Sequence, residues 1–176
     1  MSSKRLAPKI TIARTLCGAT LALAGVAWTC VASAAESEPA GPLPARLAIR
    51  AAAAALAKCD ADGLHVSVSI VDREGVTRVL LVDDGAGPVS ITTSRRKAYT
   101  SAAFGISTGD LARMPPPPSN GPPLVIDPEI LPLAGGLPIR RGDAVIAAIG
   151  VGGADRSDKD EACAQAGLDS IRDQLK

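Results

Sequence analysis

The sequence predicts an α+β fold, in which helices pack on an antiparallel sheet of about five strands. Two pairs of β-type segments are each joined by a tight turn: residues 65–72 with 76–82, and residues 137–140 with 144–151. Strands that are joined by tight turns are antiparallel neighbours in a sheet. Helix-type segments precede, separate and follow the two pairs, so the helices are expected to pack on the sheet.

The first three helices are predicted from composition and capping patterns. Residues 45–58 are rich in alanine, the strongest helix former, and the turn residues 60–63 are expected to end this helix. Residues 90–104 form the second predicted helix. Residues 107–114 form a short third one, which begins with a serine followed by an aspartate three residues later.

The fourth predicted helix extends from Ser157 towards the C-terminus. Ser157 and Asp160 fit a capping pattern. Apolar residues then recur at helical spacing, at Ala164, Leu168, Ile171 and Leu175. The acidic residues at the start of this helix are explained by the helix dipole, which favours negative charge there. A cation site at these residues is the less favoured alternative.

The β-type segments differ in their hydrophobic patterns. Residues 65–72 alternate apolar residues with serines, which predicts a half-buried strand. Residues 144–151 are apolar throughout, which is typical of a strand buried on both faces. Gly152 and Gly153 follow this strand and are expected to permit close backbone packing. Residues 115–123 are rich in proline and are expected to form an exposed loop, because proline lacks the amide donor.

The N-terminal 34 residues have the pattern of a secretory signal peptide. A basic segment is followed by an apolar run and by small residues that end at Ala34. We therefore expect residues 1–34 to be a cleaved signal, residues 35–45 a disordered linker and residues 46–176 the folded domain. An uncleaved membrane anchor is the alternative, although the apolar run is short for a membrane span. Export would place the protein in a periplasm or outside the cell.

The charge of the expected mature chain argues against two classes of partner. The first 34 residues contain four basic residues and no acidic one, so 15 basic and 18 acidic residues remain. This net charge of −3 is unlike the basic surface of nucleic-acid-binding proteins. The mature chain also has no basic cluster suited to anionic lipid. We therefore expect neither nucleic acid nor a membrane surface as the partner.

Two of the four cysteines, Cys59 and Cys163, lie outside the predicted signal. Export would allow them to form a disulfide, because secreted proteins fold in oxidising compartments. Cysteine is also a common small buried residue. The sequence favours this second interpretation, in which the two thiols are unpaired.

Residues 135–168 contain an ordered series of motifs: GGLPI, an apolar strand that ends in IGVGG, and a helix with the pattern DExxxxAGL. A KAxT pattern is present at Lys97–Thr100. Together these motifs resemble the GlcG/HbpS-like family of haem-binding proteins. The resemblance covers residues 47–175 and implies a profilin-like layered fold, a homo-oligomer and haem as the ligand. Relatives commonly have a serine at the position of Gly152, so one hydroxyl that could contact a ligand is missing here.

The second predicted helix carries most of the candidate cofactor-binding residues. On a helix, Arg96, Tyr99 and Thr100 share a face that Phe104 continues. Cations such as Arg96 and Lys97 could pair with haem propionates. Tyr99 or Thr100 could offer an oxygen to iron, and Phe104 a stacking surface. The alternative is an amphipathic helix with a solvated basic end.

His65 is the only histidine of the chain. A histidine can be an axial haem ligand or a general base. The alternative is a solvated residue at the start of a strand. A single histidine excludes any catalytic triad or metal site that requires two histidines.

The function expected from these observations is an exported, non-enzymatic protein that binds a small molecule, with haem as the expected ligand. No catalytic residues are predicted, because the chain lacks the common nucleotide-binding, hydrolase and metalloprotease motifs. Two alternatives remain open. One is a haem-degrading or redox accessory enzyme, in which the cofactor supplies the chemistry. The other is a structural oligomer with no retained ligand.

Overall fold

The computed structural model describes residues 41–115 and 127–176, which belong to one compact unit. The predicted signal peptide, most of the predicted linker and most of the proline-rich loop lie outside the described residues. In chain order the elements are α1 (Ala45–Ala61), β1 (Ser67–Asp72), β2 (Thr77–Val82), α2 (Pro88–Phe104), α3 (Thr108–Arg113), β3 (Gly136–Arg141), β4 (Ala144–Gly152) and α4 (Ser157–Asp169), followed by a 3₁₀ turn at Arg172–Gln174.

The described strands form one antiparallel sheet in the order β2-β1-β4-β3. The α+β class with helices packed on an antiparallel sheet is confirmed, with four strands in place of about five. Both predicted hairpins are present, and β1 also pairs with β4 along its whole length. This pairing brings the two hairpins side by side and places β1 and β4 at the centre of the sheet.

The two faces of the sheet are covered by different helices. α1 and α4 pack on one face, where apolar side chains such as Val68, Ile70 and Ile149 form the main core with alanines of α1. α2 packs on the other face, across β1, β4 and β3. None of the helices in the two described ranges is both long and apolar enough to cross a membrane.

The prediction that β1 is half-buried is wrong, because α2 covers its polar side. Ser67 and Ser69 are fully buried. Their hydroxyls lie 2.7 Å from the hydroxyl of Ser90 and 2.8 Å from that of Ser94. The apolar residues of β1 therefore face the core beneath α1, and its serines face α2. Neither side of β1 faces solvent.

Glycines of β4 allow α2 to approach the sheet closely, as expected for packing glycines. A Cβ atom at Gly150 would lie 2.1 Å from the Ser94 carbonyl oxygen and 2.5 Å from the Ala98 nitrogen. A Cβ atom at Gly152 would lie 2.2 Å from Thr93 Oγ1. Thr93 therefore occupies the space next to Gly152.

Cys59 of α1 and Cys163 of α4 form a disulfide, with their Cα atoms 5.6 Å apart. The favoured prediction of two unpaired cysteines is therefore wrong. The reason is the packing of α1 against α4, which brings together two residues 104 positions apart. Both cysteines are fully buried, so the disulfide is part of the core.

The capping prediction is confirmed for α3 and wrong for α4. In α3, the hydroxyl of Ser107 accepts a hydrogen bond from the Asp110 amide, 2.9 Å away. In α4, Ser157 is already the first helical residue, and no side chain caps the helix. Asp160 does not cap the helix: it is buried and forms an ion pair with Lys97 of α2. The helix also ends at Asp169, before the 3₁₀ turn.

Candidate functional site

The candidate residues of α2 lie on a helix with clear start and stop signals. Gly87 precedes it in an extended conformation, and Pro88 is the first helical residue, where a missing amide donor costs nothing. Gly105 ends the helix with a φ of 68°, a left-handed conformation that favours glycine. Small residues at helical spacing (Ser90, Ser94, Ala98 and Ser101) form the buried side of α2.

Lys97 lies on the buried side of α2 and forms an ion pair with Asp160 of α4. The Lys97 Nζ atom is 2.6 Å from Asp160 Oδ2, and the side chains are only 2% and 4% exposed. The second carboxylate oxygen, Asp160 Oδ1, accepts a hydrogen bond from the Ala154 amide at 3.1 Å. Each charge is thus compensated inside the protein, as buried charges require.

Burial shifts the pKa values of both partners towards their neutral forms. Desolvation lowers the pKa of Lys97, and the Coulombic attraction of Asp160 opposes this shift. Desolvation likewise raises the pKa of Asp160 against the attraction of Lys97. An open depression of about 370 Å³ is lined by both residues and by Ser90, Thr93, Ser157 and Leu133, among others.

The outer side of α2 holds residues 127–131, a segment that we call the clasp. Tyr99 donates a hydrogen bond from its hydroxyl to Asp127 Oδ2 at 2.8 Å. Arg96 donates to the Ile130 carbonyl oxygen at 3.1 Å. Thr100 Oγ1 accepts a hydrogen bond from the Leu131 amide at 2.8 Å. Three of the six candidate residues therefore bind another part of the same chain.

The charges of the clasp are matched by α2. Arg95 forms a partly exposed ion pair with Glu129, 2.5 Å between Nη2 and Oε2. The pKa of Asp127 is lowered, first by a hydrogen bond from the Glu129 amide and then by that from Tyr99. The hydrogen bond to Asp127 raises the pKa of Tyr99, because it stabilises the protonated phenol next to a carboxylate.

His65 lies just before β1, at the opposite end of the β1–β2 hairpin from Tyr99. Its Nδ1 atom is 3.1 Å from Asp83 Oδ1, and most of its side chain is exposed. Tyr99 instead lies against Gly75, in the turn between the two strands. The structure therefore does not bring His65 together with the candidates on α2.

Phe104 is the last residue of α2, and its side chain is about half exposed. It does not contribute to the core cluster that contains Ala98 and Ala102. Of the six candidates, Arg96, Tyr99 and Thr100 are thus grouped at the clasp, Lys97 faces the interior, and His65 and Phe104 are separate exposed residues.

Asp160 is the residue of this region that sequence reasoning missed. Asp160, Cys163, Ala164 and Gly167 are all buried and share one stripe of α4. A charged residue within such a stripe indicates a buried partner. This pattern predicts that Asp160 has a buried partner, but it does not identify Lys97 as that partner. Within the described part of the chain, no group of three or more His, Cys, Asp or Glu residues could hold a metal ion.

Comparison with known proteins decides the family. The family described as "Haem degrading protein HbpS-like" matches residues 43–169. The chain belongs to the HbpS-like family. None of the curated proteins compared with the chain matches it.

Solved structures of relatives share the fold. HbpS of Streptomyces reticuli, solved as a double glutamate-to-aspartate variant, is 40% identical; the match covers 85% of this chain and 98% of that one, with a TM-score of 0.69. Protein ORFY of Klebsiella pneumoniae is 29% identical; the match covers 78% of this chain and 95% of that one, with a TM-score of 0.68. PduOC, solved as a complex with haem, is 24% identical; the match covers 74% of this chain and 96% of that one, with a TM-score of 0.67. This last likeness shows the fold alone.

Two of the four HbpS-like sequence motifs meet at the buried ion pair. Lys97 is the lysine of the KAxT pattern, and Asp160 is the aspartate of the DExxxxAGL pattern. The glycine turn that begins the GGLPI motif lies beside both: a Cβ atom at Gly135 would be 2.9 Å from Lys97 Nζ. The motifs that identify the family thus form one structural unit, which joins α2, α4 and the start of β3.

Proposed function

We propose that this chain is an exported haem-binding protein. The observation that carries the proposal is the HbpS-like match over residues 43–169, since that family is described by its haem chemistry. The 40% identity to HbpS over nearly the whole of its chain supports the same ligand class. The bound haem would supply redox chemistry, and the protein would supply binding and orientation.

Two observations support export. The first 34 residues have the layout of a signal peptide. The disulfide between Cys59 and Cys163 is typical of proteins that fold in oxidising compartments, such as the periplasm or the extracellular space. We further propose that the protein acts as a homo-oligomer, and light scattering after gel filtration measures its mass directly.

His65 fits the role of an axial ligand better than the other candidates. Its Nδ1 atom faces Asp83, so the Nε2 atom is the one left for iron, an arrangement common among metal-binding histidines. Tyr99 and Thr100 would offer an oxygen only after the clasp has moved, because both are hydrogen-bonded to it. Lys97 is neutralised by Asp160, so we assign it to the fold and not to haem propionates.

Titration of the purified protein with haemin tests the proposal. We expect a saturable Soret shift that persists through gel filtration, and His65→Ala should move the Soret maximum. Tyr99→Phe and Thr100→Val serve as matched controls and should leave the maximum unchanged. The absence of any shift at micromolar haemin would refute the proposed function.

Haem degradation is a second candidate function, because the family description names it. The same haemin complex separates the two functions. Loss of the Soret band with iron release after addition of a reductant in air-saturated buffer indicates degradation, because oxidative cleavage of the macrocycle consumes O₂ as well as electrons. A stable, reducible complex indicates binding alone.

A further inference from the structure

The two edge strands of the sheet, β2 and β3, differ in how they resist pairing with a further strand. β3 contains Pro138, which has no amide donor, and the charged residues Arg140 and Arg141. Its pairing with β4 is also irregular between Ile139 and Arg140. Proline, charge and irregular pairing are the features by which natural proteins prevent association of sheet edges. The β3 edge is therefore protected.

The second half of β2 has none of these features. From Val79 to Val82 the strand is apolar, and its pairing with β1 is regular. The Asp83 amide donates to the Val66 carbonyl of the β1 side. Because backbone groups alternate in direction along an antiparallel strand, those of Leu80 and Val82 point away from β1. The side chains of these two residues are 42% and 43% exposed. This edge is therefore open to another strand.

The side of β2 that faces α1 borders an open depression of about 450 Å³. Its apolar lining includes Leu81 of β2 and Leu56 of α1, which both pack partly against the main core, together with Ala53 and Ala57. The helix therefore leaves space beside the outer edge of β2. Side chains of an added strand that point to the α1 side would occupy this space, because alternate residues of a strand share a face.

The charges of β2 have opposite signs at the two ends of the strand. Arg78 precedes the apolar residues, and its side chain is 59% exposed. Asp83 and Asp84 follow them. Asp83 is held by His65, whereas Asp84 is an exposed residue of the turn after the strand. The strand edge is thus basic at its start, apolar in the middle and acidic at its end.

α1 repeats the same order of charges along the same edge. Arg50 is three and seven residues before the two alanines of the depression, so it belongs to their side of the helix, and Asp60 lines the depression itself. Ala48 and Arg78 line one small cavity, and Asp60 and Asp84 line the depression. α1 and β2 therefore run in the same direction, and their basic ends lie together, as do their acidic ends.

We propose that this edge binds a second copy of the same chain. We call it the β2 edge surface, residues 78–84 with the outer stripe of residues 50–60. The two copies pair their β2 strands in antiparallel orientation about a twofold axis and join their sheets into one of eight strands. A twofold axis places the basic end of one copy against the acidic end of the other. The charges favour a second copy over an unrelated strand, because one surface supplies both complementary ends.

One register satisfies both the charges and the apolar residues. Leu80 of each copy lies opposite Val82 of the other, and Arg78 lies opposite Asp84. The two Leu81 side chains meet on the axis, at the border of the depression. Opposite charges and apolar side chains that face each other across a strand pair stabilise it. This inference adds the contact surface to the homo-oligomer proposed above, and it does not depend on haem.

Exchange of charge on the β2 edge surface tests the proposal by light scattering after gel filtration of the purified protein. Arg78→Glu and Asp84→Arg each place like charges opposite one another across the axis. Each variant alone should therefore have about half the mass of the parent assembly or less. An equimolar mixture of the two variants should recover the parent mass, because each supplies the charge that the other requires. This recovery also shows that both variants are folded.

A further variant and its control test the apolar middle of the surface. Leu80→Lys introduces the charge with which natural edge strands prevent pairing, so it should also reduce the mass to about half or less. Met114→Lys is the matched control. Met114 is a similarly exposed apolar residue at the end of α3, which packs against α2 and β3, away from the β2 edge. Its mass should equal that of the parent.

Each of three other outcomes would overturn the proposal. A monomeric parent would assign the surface to a different protein. An oligomeric parent whose mass is unchanged in all three edge variants would place the contact elsewhere. Charge variants that do not recover the parent mass when mixed would attribute their effect to misfolding. Haemin titration remains a separate measurement: a parent that assembles through β2 but does not bind haemin refutes the proposed function and leaves this inference intact.

Discussion

The two faces of the sheet are built from different chemistry. The face towards α1 and α4 is apolar, with alanines of α1 packed on branched residues of β1 and β4 and a buried disulfide between the helices. The face towards α2 is polar, with paired serine hydroxyls and the ion pair of Lys97 and Asp160. The apolar face supplies most of the hydrophobic stabilisation. The polar face fixes one orientation of α2, and α2 in turn positions the clasp.

The largest expected effect concerns the disulfide of the apolar face. In the chain-entropy model, a bridge across about 100 residues stabilises a protein by about 4–5 kcal/mol. The double variant Cys59→Ala/Cys163→Ala should therefore lose about this much free energy of unfolding in urea, and it should still bind haemin when folded. Loss of haemin affinity in a folded double variant would contradict the separation of roles between the two faces.

The next largest effect is expected at the ion pair of the polar face. Asp160→Ala would leave the Lys97 ammonium group buried without a partner, at a cost of about 3–5 kcal/mol in unfolding experiments. The double variant Lys97→Met/Asp160→Leu should recover most of this loss, because no charge remains buried. Asp173→Ala removes an exposed pair with Lys176 and should cost less than about 1 kcal/mol. Equal costs for Asp160→Ala and Asp173→Ala would refute the assigned importance of burial.

A smaller effect is expected from closing the gap between α2 and β4. Gly150→Ala would place a methyl group against the backbone of α2, and overpacking of this kind costs about 2–3 kcal/mol. Gly41→Ala is the control: its Cβ atom would meet only one ordinary contact, and the free energy of unfolding should change by less than about 0.5 kcal/mol. If Gly150→Ala is as stable as Gly41→Ala, the close approach of α2 does not constrain the sheet.

The smallest effect concerns the clasp, and it is measured as a pKa. Tyr99 is the only tyrosine of the chain, so its ionisation can be followed by ultraviolet absorbance. Asp127→Asn should lower the pKa of Tyr99 towards the ordinary value of 10.0, because the carboxylate that raises it is removed. Asp83→Asn removes a carboxylate distant from Tyr99 and should leave that pKa unchanged. An unchanged pKa in Asp127→Asn would refute the hydrogen bond.

The two shifts at the clasp also define the pH range in which it is intact. The folded pKa of Asp127 is below 3.8, so its contribution is complete above that pH and is lost as the pH falls through the folded value. The folded pKa of Tyr99 is above 10.0, so its contribution is complete below that pH and is lost as the pH rises through the folded value. Between these limits the hydrogen bond is retained.

The elements of the fold were predictable because they depend on local patterns. The alternation in β1, the apolar run of β4 and the alanines of α1 identify each element from consecutive residues. The pairing of β1 with β4 was not predictable from such patterns. The ion pair of Lys97 with Asp160, which are 63 residues apart, was not predictable for the same reason. Nor was the disulfide, whose cysteines are 104 residues apart. Such contacts depend on how complete elements pack.

The candidate site was predictable only in part. Spacing alone groups Arg96, Tyr99 and Thr100 on one side of a helix, and the structure shows these three residues in contact with the clasp. Helical spacing contains no information about what that side meets.

Hydrogen–deuterium exchange with and without bound haemin tests the central claim most directly, namely that His65 lies at the haem site. We expect haemin to slow exchange in peptides that contain His65 and its partner Asp83, and to leave the clasp, residues 127–131, unchanged. Amides with little protection in the free protein should show the largest change. Protection confined to the clasp would contradict the account.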